Sequence, residues 1–103
     1  MDDAELARGL VSTFVQTGRR ALAEVETGIE KGDSSLVRRA AHTLKGASAN
    51  MGASALRDAA AELERSAESQ PARTLRDALP RLDQRFEIAR VQLERLVSRM
   101  PAR

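Results

Sequence analysis

From Leu75 to Met100 an apolar residue returns at alternating steps of four and three: Leu75, Leu79, Leu82, Phe86, Ala89, Leu93, Leu96 and Met100. Steps of that kind keep one side of an α-helix apolar along its length and make a seam that packs against other helices. No alternating β-branched run competes with it, and the rest of the chain repeats the helical spacing. Leu6, Leu10 and Phe14 mark a first stripe, widened by Val11 and Val15, and Leu22, Val25 and Ile29 continue it. Gly18 lies between the two parts and is expected to bend the chain or to separate a short first helix from the next. Lys31-Gly32 reads as a helix end. Asp33 is the preferred N-cap of the following helix, with Ser34 as the competitor. That helix is expected to run to Asn50-Met51, with Gly52 as its left-handed stop.

A short connection then leads to a stripe of Leu56, Ala60, Leu63 and Ala67, which makes the helices on either side of Gly52 antiparallel neighbours. Glu68-Ser69-Gln70-Pro71 is the clearest loop. Pro80 falls inside the final seam, where the missing N–H predicts either a kink or a break into a short helix and a long one. The expected fold is all-α: an antiparallel four-helix bundle with a short additional N-terminal helix. The 103 residues suit one domain, expected over residues 1–103, that buries roughly 65% of its unfolded surface.

Composition removes most familiar enzyme chemistries. There is no cysteine, hence no disulfide, thiol nucleophile or cysteine-ligated metal, and a single histidine excludes an imidazole-rich metal site. The formal net charge is only +2. Basic residues alternate with Asp and Glu as on ordinary solvated helices, so nucleic acid is not an expected partner. No apolar run is long enough to span a bilayer, and Asp2 and Asp3 are opposite in sign to a secretory leader, so the expected location is soluble and cytoplasmic.

On a helical wheel of about 100° per residue, Val37, Ala40, Leu44, Ala47 and Met51 share one side of their helix, and His42 points away from it. Arg38 and Arg39 lie one turn before His42, Lys45 and Gly46 one turn after it, and Ala49 two turns on. A lone histidine is most often an ordinary surface or core residue. Here, however, the wheel excludes the core, and Gly46 costs about 1 kcal/mol relative to Ala in mid-helix while leaving one flank of the imidazole open. Lys45 stands where an ammonium can meet an anion held on the ring. An exposed imidazole among cations, with no carboxylate adjacent to it in the sequence pattern, suits acceptance of a phosphoryl group better than proton abstraction. Ser48 points to another face, so a hydrolytic triad is not assembled.

The run Ala41-His42-Thr43-Leu44-Lys45-Gly46-Ala47-Ser48-Ala49-Asn50-Met51-Gly52-Ala53 resembles the core of histidine-containing phosphotransfer (HPt) domains. The shared pattern is a histidine, two residues, Lys-Gly, small residues, and an apolar residue before glycine, and the likeness continues through Leu56 and Leu63-Glu64. The resemblance implies that His42 is the phosphoacceptor, that Lys45 helps to hold phosphoryl oxygens, that Gly46 opens access, and that Gly52 closes the helix. Arg38, Arg39 and Ala49 are assigned to partner contact from the wheel alone.

The resemblance further implies reversible transfer between His42 and the aspartyl phosphate of a response-regulator receiver domain, with a hybrid sensor histidine kinase as a further partner. Attack is expected through Nε2, the nitrogen farthest from the backbone. No cofactor of its own is expected, and Mg²⁺ belongs to the receiver. No Gly-x-x-x-x-Gly-Lys loop is present, so the chain is expected to carry phosphoryl groups without phosphorylating itself from ATP. It stands either alone or as the cytoplasmic end of a membrane-bound hybrid kinase. Two alternatives remain open at this level. One is a helical interaction or regulatory module without phosphotransfer. The other is the dimerising histidine domain of a sensor kinase, which fits poorly because those domains follow the histidine with an acidic residue, whereas here it is followed by Thr43-Leu44-Lys45-Gly46.

Overall fold

The Asp2 carboxylate accepts a hydrogen bond from the Glu5 amide at 2.8 Å and so caps one of the free donors that begin any helix. From there α1 runs Asp3–Lys31 without a break. It ends at Gly32, whose φ of 66° is the left-handed conformation that glycine adopts without steric cost. The amide of Asp33 then bonds the Gly28 carbonyl at 2.8 Å, and the Asp33 carboxylate accepts from the Leu36 amide at 3.0 Å to start α2, Ser34–Asn50. Gly52, at φ 69°, reverses the chain into α3, Ser54–Ser66. A short α4, Ala72–Asp77, and a long α5, Leu79–Ser98, complete the five helices of the computed structural model, which describes residues 1–101.

The four long helices form a closed ring in which α1 meets α2, α2 meets α3, α3 meets α5, and α5 returns to α1. Their shared core holds Val25, Val37, Leu44, Leu56, Ala60, Leu63, Leu82 and Phe86, each at most 3% exposed. The molecule is long, 51 × 19 × 17 Å, because the 29-residue α1 alone spans about 44 Å. None of the helices among the described residues is long and apolar enough to cross a membrane.

The all-α bundle is as expected, but the separate short N-terminal helix is not found. Gly18 lies inside a continuous α1, and the short helix is α4 instead. The reason is packing: a Cβ at Gly18 would overlap the ring of Phe86, so glycine lets α1 and α5 approach closely. The Phe86 ring in turn stacks on Phe14, with centroids 5.6 Å apart. The first stripe also shifts. Ala4, Val11, Phe14, Gly18, Ala21 and Val25 are the buried line, whereas Leu6 and Leu10 are about half exposed. With only 17 residues, α2 cannot cover the first turns of the longer α1. At the same end of the molecule, where the close of α5 lies beside the start of α1, Leu96 is left 62% exposed although it continues the heptad seam. Pro80 breaks the helix: it sits in the first turn of α5, where its missing N–H removes no helical bond.

Candidate functional site

The buried side of α2 is Val37, Ala40, Ala41, Leu44 and Ser48, with Ala47 and Met51 partly buried beside them. Fixing that side in the core turns the opposite side outward, and His42 stands there with 66% of its side chain exposed. Ser48 faces the core and donates to the Leu44 carbonyl at 2.6 Å, so it takes no part in this surface. Gly46, one turn after His42, is exposed, and a Cβ built on it would meet nothing within 4 Å. The fold therefore has no steric need for glycine there, in contrast to Gly18.

One expectation is overturned: a carboxylate does adjoin the imidazole. Glu64, on α3, places Oε2 2.8 Å from His42 Nδ1 and Oε1 2.6 Å from Lys45 Nζ. The Lys45 ammonium, hydrogen-bonded to that carboxylate, is the main cause that holds Glu64 below the ordinary carboxylate range, with His42 adding to it against the opposing effect of burial. Glu64 is thus an ionised acceptor bridging the two residues that the sequence singled out. In the linear chain it lies 22 positions from His42. The antiparallel turn at Gly52 was the available signal, since the two residues stand at similar distances on either side of it.

Arg38 lies on the same face and pairs with Glu68, its Nε 2.7 Å from Oε1. Arg39 is exposed and bonds back to the Ser35 carbonyl at 3.3 Å, without reaching the His42 cluster. Ala49 is exposed farther along α2. Between α1 and α2, next to this face, runs a groove of about 300 Å³ lined by Leu10, Phe14, Thr43, Ala47 and Met51 among others. Among the described residues no three His, Cys, Asp or Glu side chains gather as a metal site.

An outward histidine at mid-helix on a helical bundle, with a lysine and an open glycine one turn on, defines a carrier class rather than a hydrolase. The comparisons agree. The Hpt domain family matches residues 9–101. The crystal structure of histidine-containing phosphotransfer protein B (HptB) from Pseudomonas aeruginosa PAO1 is similar with a TM-score of 0.79 and 31% sequence identity, covering 98% of this chain and 96% of that one. No curated protein matches the chain significantly. The chain belongs to the Hpt domain family, and its function is histidine phosphotransfer in phosphorelay signalling through response regulators.

Proposed function

We propose that His42 is the residue that carries the phosphoryl group. The observation that supports this most is its place on the outward face of α2, 66% exposed, beside a glycine whose added Cβ the fold would accommodate. The neutral imidazole attacks in line through Nε2. The Nε2–P bond forms, the P–O bond to the receiver aspartate breaks, and the electron pair leaves on the aspartate carboxylate. Such a transition state is loose, so its demands are positioning and neutralisation of charge on the equatorial oxygens. Lys45 supplies cationic charge from this side, and Mg²⁺ on the receiver supplies the rest. Gly46 keeps the path to Nε2 open.

In this proposal the receiver docks over α2 and the adjoining α1–α2 groove, with Ala49 allowing close approach and Arg38 and Arg39 favouring an acidic surface. A relay contact has to dissociate every cycle, which fits a modest interface. The cytoplasm, where receiver domains work, is the proposed location. The test is transfer from phosphorylated receiver domains to the wild type and to His42→Gln. The carrier reading predicts label on the wild type and none on a folded variant; receivers that bind the wild type without ever labelling it would leave a docking module instead.

A further inference from the structure

We propose that the end of the molecule formed by the start of α1 and the close of α5 is a pairing surface for a second copy of this chain, and that the two helix pairs interlock, one inverted on the other, as a four-helix segment.

The inner helices stop short of the outer ones. The groove between α1 and α2 closes with Asn50 and Met51 beside Leu10, Thr13 and Phe14. The start of α3 is marked on α5 by Arg85, whose guanidinium donates to the Ala55 carbonyl at 3.1 Å. Beyond that level α1 and α5 continue as a bare pair for about ten residues, or about 15 Å, to a tip where Met1 to Ala4 adjoin Met100 and Pro101. Ala4 and Val11 are buried, but Leu6, Leu10 and Leu96 are all at least half exposed. Leu6 and Leu10 lie about two turns before Thr13 and Thr17, which line the groove with α2, so they face the line that α2 leaves empty. Leu96 lies about three turns past Arg85 and faces the line that α3 leaves empty. The apolar seam thus outruns the helices it packs against, and nothing among the described residues covers its end.

Gly9 points the same way on separate grounds. It stands in the helical interior between Leu6 and Leu10, where glycine is unfavourable relative to alanine. It is exposed, and a Cβ there would meet no atom within 4 Å, so the single copy has no steric use for it. A residue without a side chain at this place lets another helix approach α1 closely.

The vacancy is two helices wide and is bounded by α1 and α5, so the piece that fits it is another such pair. A two-fold axis across the long axis lays α1 of the second copy below the end of α2, and its α5 below the start of α3. Every helix is then antiparallel to its neighbours, as in an up-down bundle. Each incoming helix also runs in the direction of the one whose line it continues. The contact is self-complementary and closes at two copies. Its face measures about 15 Å by 20 Å, well short of the roughly 800 Å² per partner of a standard stable interface, so pairing is weak and reversible. His42 lies about 13 Å before the end of α2 on its outward face, clear of the seam, and both rings of the pair stay open.

Small-angle X-ray scattering of the intact chain from about 10 µM to about 1 mM tests this. Because the copies overlap only along the bare pair, the longest dimension should grow from 51 Å to about 85 Å as the dimer forms. Leu96→Glu and Leu6→Glu, each at a position exposed in the single copy, should keep the helical circular dichroism and weaken pairing about tenfold or more by burying a charge. Leu96 lies away from the α1–α2 groove, so its variant should still exchange phosphoryl groups with receiver domains. A chain that stays monomeric to about 1 mM, a dimer only about 50 Å long, or a Leu96→Glu variant that pairs as well as wild type would overturn the proposal. A monomeric wild type whose Leu96→Glu variant loses receiver binding would overturn it as well and assign the face to the receiver.

Discussion

His42 and Glu64 are 22 residues apart in the chain and 2.8 Å apart at their nearest side-chain atoms. That contact ties the outward face of α2 to α3 and gives a solvent-exposed imidazole a fixed partner. It also gives the site an acid-sensitive element. Glu64 is held below its ordinary range, chiefly by Lys45, so its ion pair contributes stability above the unfolded-state value of about 4.3. That contribution is lost as pH falls through the depressed folded value. The stability difference between wild type and Glu64→Gln, measured by urea unfolding, should therefore be present at pH 6 and shrink towards pH 3. Exposure limits its size to about 1 kcal/mol or less.

Gly46 and Gly18 should respond in opposite ways to the same substitution. A Cβ at Gly46 meets no neighbour, so Gly46→Ala should raise stability by up to about 1 kcal/mol through helix propensity. It should also slow phosphotransfer by crowding the approach to Nε2. Stability by thermal melting and transfer rate, measured on one preparation, separate the two effects.

Gly18→Ala should destabilise. Its Cβ overlaps the Phe86 ring, and overpacking of this kind costs about 1–3 kcal/mol. The ring cannot yield freely because it stacks on Phe14 at 5.6 Å. Urea unfolding is the check, and a variant as stable as wild type would show that α1 and α5 separate at no cost.

Arg38 pairs with Glu68 on the surface, with both side chains about half exposed, and pairs of that kind contribute about 0–1 kcal/mol. Arg38→Ala should therefore melt close to wild type. If Arg38 steers an acidic receiver, the variant should also show slower association at low salt, and the difference should fade as ionic strength rises.

How much of this was legible depended on whether the signal was local. Asp33, Gly32 and Gly52 act within one turn of the backbone, and each does in the structure what its residue type implies. His42 could be placed because Val37, Ala40 and Leu44 define the opposite side of the same helix. Gly18 was misread because its reason lies on another helix: nothing within α1 shows that Phe86 will press on it. Leu6 and Leu10 belong to the apolar stripe of the sequence yet stand half exposed, because periodicity shows which side is apolar without showing how far the neighbouring helix reaches. The Glu64 contact was missed for the first of these reasons, being set by the α2–α3 register rather than by either helix alone.

Whether His42 bears the phosphoryl group is decided by mapping the label after transfer. Wild type and His42→Gln would be incubated in Mg²⁺ with a panel of phosphorylated receiver domains, and the modified residue located by peptide mass spectrometry under non-acidic conditions. Acid-labile, base-stable label is expected on His42 of the wild type and none on the folded variant. Label elsewhere in the chain, or equal label on His42→Gln, would contradict His42 as the carrier.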